Sequence, residues 1–181
     1  MTPTNATSTW NIDPAHSAAE FKVKHMMIAN VRGKFSGISG ALHRFEADHT
    51  QSTLEVSIDA STVNTQDAQR DGHLKSPDFL HVEKFPAMTF KSTQIEKKGD
   101  GFAVTGDLTI RGVTKPVVLN VEEVSEPAKD PWGNTRIGLT ATAKINRKDF
   151  GLTWNTTLEA GGVLVGEEVA ITLDVQFIKA A

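Results

Sequence analysis

Three side chains with different chemistry lie within four residues of one another. Arg70, Asp71 and His73 supply a guanidinium, a carboxylate and an imidazole. Such a group can transfer protons as a general acid or base, or form a polar gate at the entrance of a site. The same residue types also form networks that hold a helix in place by satisfying carbonyls and amides. We favour the network, and no nucleophile-elbow motif is present to suggest a Ser-His-Asp enzyme.

Cysteine and histidine usage limits the chemistry further. The chain has no cysteine, which excludes disulfides, thiolate metal ligands and cysteine nucleophiles. Its six histidines are not spaced as paired ligands on a helix or strand, so we expect no metal and no cofactor. His25 stands apart, because alternation places it on the apolar face of a strand. There its imidazole would hydrogen-bond either a ligand or a neighbouring strand.

The Arg70 group lies in residues 58–90, the one stretch where apolar and polar residues stop alternating. We expect Asn64 or Thr65 to cap a short helix there, Asp67 to stabilise its first turn, and Pro77 to end it. Residues 64–85, called the lid below, would then cover one mouth of a sheet structure. Its apolar underside is predicted to be Phe79, Leu80, Val82 and Phe85.

On both sides of the lid, apolar and polar residues alternate with a period of two, as in strands. The pattern predicts about eight strands joined mainly by short turns, which is typical of an antiparallel barrel. Residues 31–42 are rich in glycine and predict a strongly coiled strand. We expect residues 1–9 to be loose, residues 10–12 to form a short edge strand, and residues 10–181 to make a single all-β domain.

The inward positions decide whether such a barrel is filled or hollow. Several of them are small, namely Ala19, Ala60, Ala141 and Ala143. We therefore expect an elongated apolar cavity, which selects long hydrocarbon over sugars, nucleotides or metals. Each buried methylene contributes about 0.8 kcal/mol to such binding.

Charge and hydropathy limit the partners. The net charge is −3 and no basic stripe is present, so we expect no nucleic acid partner. No segment approaches the roughly 18 apolar residues of a membrane span, and the first residues lack a signal-peptide pattern. We therefore expect a cytoplasmic protein, or a periplasmic one if a signal peptide has been removed.

Several blocks of sequence, in order, resemble the YceI-like family over roughly residues 10–178. They are IDASTVNT (58–65), RDGHLKS (70–76), FPAMTF (85–90), GDLTIRGVT (106–114) and INRKDFG (145–151). Trp10-Asn11-Ile12-Asp13 and Gly161-Gly162 fit as well. The resemblance implies a lipocalin-like barrel that holds a polyisoprenoid, such as an isoprenoid quinone or prenyl diphosphate, or another long-chain lipid. It also implies a homodimer, and members are often secreted to the periplasm.

Together these features predict non-catalytic binding, storage or transport of a long-chain isoprenoid lipid, with transient membrane contact. Arg70, Asp71 and His73 are expected at the lid or gate, and Arg147 is expected to pair with Asp149. The predicted ligand contacts are Phe21, Val23, His25, Phe35, Phe79, Met88, Phe90, Leu108, Ile110, Ala141, Ala143, Ile145 and Phe150.

Three alternatives stay open from the sequence. The first is an enzyme that acts on a long-chain lipid in the same cavity, with His25 or His73 as general base. The second is binding of a fatty acid or fatty amide. The third is a structural or stress-associated protein whose barrel is filled by its own side chains.

Overall fold

The computed structural model describes residues 6–181, which form eleven strand segments and one short α-helix. Short 3₁₀ turns occupy Pro14–His16, His49–Gln51, Ala60–Thr62 and Arg147–Phe150. The helix is α1 (Ala68–Lys75). The strands are β1 (Thr7–Ile12), β2 (Ala18–His25), β3 (Ala29–Phe35), β4 (Ile38–Phe45), β5 (Thr53–Asp59), β6 (Ala87–Lys98), β7 (Gly101–Ile110), β8 (Val113–Val124), β9 (Ala128–Lys129), β10 (Thr135–Asn146) and β11 (Val165–Lys179).

The strands close into an eight-stranded antiparallel barrel, which confirms the predicted fold class. β1 and β2 act as one interrupted strand, because β11 pairs with both of them. β3 and β4 form a second interrupted strand beside it. The ladder then runs through β5, β6, β7, β8 and β10 back to β11. Closure pairs the strands of this ladder on both sides, except at the lid ends of β8 and β10.

The first strand differs from the prediction in two respects. β1 begins at Thr7, inside the segment predicted to be loose, and residues 1–5 lie outside the described part. β1 is also no edge strand, since it pairs with β4 on one side and β11 on the other. Trp10 on this strand is only 2% exposed, so its burial holds the strand in the wall.

The glycine-rich stretch bends where backbones approach closely. Gly40 in β4 has a φ of 147°. A Cβ at this position would collide with the carbonyl oxygen of Glu55 on the neighbouring strand. Only glycine fits both conditions, as the predicted coiled strand requires.

The lid crosses one end of the barrel. α1 begins after Asp67, whose side chain accepts a hydrogen bond from the Arg70 N–H at 3.0 Å. The predicted cap at Asn64 or Thr65 is therefore wrong, and the cap lies closer to the helix. Ser76 and Pro77 follow the last helical residue, as expected. Among residues 6–181, no helix has the length and hydropathy needed to cross a membrane.

The wall is incomplete between β8 and β10. Their pairing ends at Thr142 and Asn120, so the lid ends of the two strands are not hydrogen-bonded to each other. Phe150, in the turn after β10, is 1% exposed and borders both the barrel interior and an outer depression between these strands. Its ring therefore plugs the wall where the ladder stops.

Candidate functional site

An apolar cavity of about 190 Å³ lies in the lid half of the barrel. Its wall is made almost wholly of aliphatic and aromatic side chains from strands on all sides. A cavity of about 150 Å³ with such a lining stays dry and binds benzene, so this volume accepts apolar guests. We call it the lid cavity. The lid contributes Leu74, Phe79 and Leu80.

Ten of the thirteen residues predicted to contact a ligand line the lid cavity. They come from five strands, the lid and the turn after β10, and alternation had placed most of them inward. They are Phe21, Val23, Phe35, Phe79, Met88, Phe90, Leu108, Ile110, Ile145 and Phe150.

Three predicted residues lie outside this lining. His25 ends β2 at the turn into β3, so the strand carries it past the cavity wall. Ala141 and Ala143 are inward and buried, at 1% and 5% exposure, but line no cavity in the barrel interior. The space beside these small side chains is filled by other atoms of the chain. The assumption that small inward residues leave room was wrong at these two positions.

A packed layer divides the barrel into two chambers. Along β10, Ile145 lines the lid cavity, Ala143 and Ala141 line neither chamber, and Leu139 and Ile137 line a second one. This second chamber, the far cavity, also measures about 190 Å³ and has a more polar wall that includes Arg44 and His49. The layer between them is marked by Ala141 and Ala143, both of which are buried.

The predicted gate residues hold the lid rather than face the cavity. Arg70 and Asp71 both bond to Thr65, a buried residue just before α1. His73 Nε2 donates to the Asp78 carboxylate at 2.8 Å on the outside. The His73 ring also packs edge-on against Phe79 and Trp154. None of the three predicted gate residues lines the lid cavity.

Arg147 is buried at the cavity wall, and its partners differ from the prediction. Its guanidinium donates to the carbonyl oxygens of Gly166, Leu152, Trp154 and Val165 at 2.7 to 3.2 Å. The predicted ion pair with Asp149 is wrong, because the side chain points inward to these loops. Burial lowers the pKa of Arg147 from its ordinary value. The guanidinium pins the segments that frame the mouth.

The strongest ion pairs lie on the outside, at the end away from the lid. The Arg136 guanidinium donates to Asp13 and Asp130, each at 2.7 Å. Arg136 holds the pKa of both carboxyls at about 2, and His16 adds to the effect on Asp13. These charges fasten the ends of strands and do not reach either chamber.

Polar groups that could carry out catalysis are scarce around the lid cavity. Within residues 6–181, no histidine lines it and no cluster of His, Cys, Asp and Glu is placed to hold a metal. Glu20 borders it, but its side chain is on the exposed face of β2. The lid cavity can enclose an apolar chain.

Sequence reasoning missed about half of the lining. The missed residues that alternation could have revealed lie on β5, β8 and β11. They are Val56, Ile58, Val117, Leu119, Val169, Ile171 and Leu173. Leu152 and Val165 lie in or next to loops, where no period marks the inward side. Arg147 carried no signal either, because an arginine near a strand end is usually exposed.

Comparison with known sequences places the chain in a family. The model described as a YceI-like domain matches residues 10–177. A UPF0312 protein of Serratia proteamaculans is 41% identical over 138 residues, covering 76% of this chain and 71% of that protein. A UPF0312 protein of Yersinia enterocolitica is 37% identical over 165 residues, covering 91% and 82%.

Solved structures show the same architecture. BcnA of Burkholderia cenocepacia superposes with a TM-score of 0.78 at 22% identity, over 91% of this chain and 98% of that one. The YCEI protein of Campylobacter jejuni gives 0.72 at 33% identity, over 87% and 90%. A polyisoprenoid binding domain from Saccharophagus degradans gives 0.66 at 16% identity, over 94% and 98%. The family model and the sequence relatives together confirm the resemblance, and the chain belongs to the YceI-like family.

Proposed function

We propose that the protein binds and carries the hydrocarbon chain of an isoprenoid lipid, without catalysing a reaction. The observation that carries this proposal is the lid cavity, a partly open space of about 190 Å³ with an apolar wall. Apolar cavities of this kind recognise hydrocarbon and little else. Membership of the YceI-like family supports an isoprenoid as the chain, and a domain of the same fold is described as polyisoprenoid binding.

The size of the cavity determines how such a chain is held. A space a little larger than one that binds benzene takes about one or two five-carbon prenyl units. The end of the chain therefore lies inside, against the ten predicted residues that line the wall, and the remainder leaves at the lid. Arg147, the one cation in the lining, already donates to four carbonyls. The protein therefore selects a lipid by its hydrocarbon chain, and the head group of the lipid stays at or beyond the mouth of the cavity.

The enzyme alternative lacks a base in the right place. His25 lies beyond the wall, and His73 is bonded to Asp78 on the outside of the lid. Conversion of a bound lipid needs a group within hydrogen-bond reach of the reacting atoms. We therefore propose storage or transport, for which the cavity alone suffices.

Organic extraction of the purified protein, followed by mass spectrometry, tests the proposal. We expect a long-chain isoprenoid in a stoichiometric amount, and none from a variant whose cavity is filled, such as Val169→Phe. A fatty acid or fatty amide in its place would contradict the isoprenoid assignment. A converted product after incubation with a prenyl lipid would contradict the absence of catalysis.

Three further expectations from the sequence remain proposals. The first is a homodimer, tested by light scattering on the eluted protein. The second is a cytoplasmic or periplasmic location, tested by cell fractionation. The third is transient contact with a membrane, tested by flotation with lipid vesicles.

A further inference from the structure

The turn between β2 and β3 exposes three consecutive apolar side chains. Met26, Met27 and Ile28 are 44%, 61% and 81% exposed. They are three of the five large apolar side chains that are exposed in residues 6–181. Exposed apolar residues that lie together mark contact with a protein or a membrane, whereas single ones are ordinary. We call residues 26–28 the apolar tip.

The backbone of the tip holds its methionines in an unfavourable conformation. Met26 and Met27 have φ values of 52° and 61°, and the Ile28 N–H donates to the His25 carbonyl at 3.2 Å. This is the geometry of a type I′ turn, which favours asparagine and glycine at its two central positions. Methionine there weakens the fold, and its exposure brings no compensating burial. A function outside the folded chain accounts for both features.

Cations cover the outer face of the same hairpin. Lys22, Lys24, Arg32 and Lys34 point outward from β2 and β3, and Lys22 lies directly opposite Arg32. Like charges opposed across two strands destabilise the pairing. In the described part of the chain, none of the four lies within ion-pair distance of a carboxylate, although Glu20 shares the face opposite Lys34. An external anionic surface would relieve this repulsion.

The tip adjoins the mouth of the lid cavity. His25 pairs with Val165, which lines the cavity, and Val23 lines it one step further along β2. The Met26 N–H donates to the Leu164 carbonyl at 2.7 Å. Beside it, a Cβ at Gly162 would collide with the Met27 sulfur, so glycine lets the neighbouring loop approach the tip. The tip therefore lies beside the cavity lining and is hydrogen-bonded to the segment that borders it.

We propose that the apolar tip and the cations beside it dock the barrel on a bilayer that contains anionic lipid. Methionine and isoleucine enter the boundary between head groups and acyl chains, as apolar residues of peripheral proteins do. The cations meet lipid phosphates, each strengthening binding about fivefold near the surface. The cavity mouth then faces the bilayer. Transfer of a chain between the two rests on the proposed function, whereas docking itself does not.

Flotation of the full chain with vesicles tests the docking. We expect binding to vesicles of phosphatidylcholine mixed with phosphatidylglycerol, weaker binding to phosphatidylcholine alone, and loss of binding in high salt. The triple variant Met26→Asn, Met27→Gly, Ile28→Thr should bind at least tenfold more weakly while its melting temperature rises, because it supplies the favoured turn residues. Trp132→Ser removes a 79% exposed ring from another loop and serves as the matched control, with binding unchanged.

The charges are tested separately. The double variant that carries Lys24→Gln and Arg32→Gln should bind the anionic vesicles about 25-fold more weakly. Its binding to phosphatidylcholine vesicles should be unaltered. Vesicle binding by the triple variant equal to that of the native chain would overturn the proposal. A native dimer that the triple variant converts to a monomer, with no vesicle binding by either, would also overturn it and assign the tip to a contact between copies.

Retention of a prenyl lipid in solution separates this proposal from the proposed function. The triple variant keeps the cavity intact, so extraction should recover the same lipid from it as from the native chain. A native chain that floats with vesicles but contains no isoprenoid would refute the proposed cargo alone. A native chain that holds the isoprenoid but never floats would refute the docking alone.

Discussion

Arg70 donates two hydrogen bonds to Thr65, from Nε to Oγ1 at 2.8 Å and from Nη2 to the carbonyl oxygen at 2.9 Å. Asp71 accepts from the N–H and Oγ1 of the same threonine at 2.8 and 2.6 Å. A single residue before α1 therefore satisfies both a cation and an anion of the helix. This is how a lid of only eight helical residues keeps a fixed position over the barrel.

Thr65→Val should loosen the lid. The change keeps the shape but removes Oγ1, which leaves Arg70 Nε without its acceptor and deprives Asp71 of one donor. We expect a loss of about 1–3 kcal/mol in the free energy of unfolding, measured with urea. Lipid dissociation should also become faster. Thr109→Val, which removes one exposed hydroxyl bond to Thr114, is the control and should cost less than about 0.5 kcal/mol.

Filling the lid cavity should remove the ligand without unfolding the protein. Val169→Phe places a ring inside a space of about 190 Å³. Room for several methylenes is lost, so affinity for a prenyl chain should fall more than about tenfold in a fluorescence displacement assay. Unchanged affinity would show that the chain binds elsewhere.

A phenylalanine introduced into the packed layer should lower the stability of the protein rather than its affinity for a ligand. Ala141 lies between the chambers with 1% exposure, so a phenylalanine there has no empty space to enter. Ala141→Phe should lower the free energy of unfolding by about 1–3 kcal/mol or more. If Ala141→Phe is as stable as the native protein and Val169→Phe is the variant that loses stability, the empty space lies beside Ala141 and the packed region beside Val169.

Removing the buried guanidinium should destabilise the mouth. Arg147→Met removes the guanidinium donor from the carbonyl oxygens of Gly166, Leu152 and Trp154, while the Val165 carbonyl keeps the Asn155 amide. Each unsatisfied buried group costs about 1–3 kcal/mol. We expect a loss of more than about 3 kcal/mol by denaturant unfolding. Arg147→Lys should recover only part of it, because an ammonium cannot donate in the same fork geometry. Arg32→Met, on the exposed hairpin face, is the control for loss of a charge alone.

Acid stability should depend on Arg136. The pKa values of Asp13 and Asp130 are about 2 in the folded protein, below their ordinary value of 3.8. The unfolded chain therefore takes up protons first as the pH falls below about 4. The stability from both carboxylates is complete above that pH and is lost as the pH falls through about 2.

Arg136→Gln should move acid unfolding to higher pH, followed by circular dichroism between pH 7 and pH 2. Lys91→Gln breaks the exposed contact with Glu55 at 3.7 Å and should leave the transition where it is. Equal transitions in the native protein and the Arg136 variant would show that these ion pairs contribute nothing to acid resistance.

Alternation predicted the barrel well because a strand in a closed wall has one face buried in the interior and one exposed to solvent. Phe21 and Val23 follow the rule and line the cavity, but His25 has the same parity and lies beyond the end of the cavity, although it is still paired with Val165. The period shows which side chains point inward and carries no information about where the cavity ends.

Two other features needed information that no single stretch of sequence carries. The volume beside Ala141 depends on residues of strands that are distant in sequence, such as Leu173 and Val121, which pair with it. The partners of Arg147 are carbonyls from loops up to 19 residues away. The error at Thr65 is local instead, because its residue type suits a helix cap but Arg70 and Asp71 bind it.

The packed layer at Ala141 and Ala143 limits the length of hydrocarbon chain that the lid cavity can accept. Affinity should climb with each added prenyl unit until the tail reaches this floor, and then level off, because further units remain in solvent or lipid. The protein would thus treat all sufficiently long isoprenoids alike, and a cell could use it for a whole series of homologous lipids.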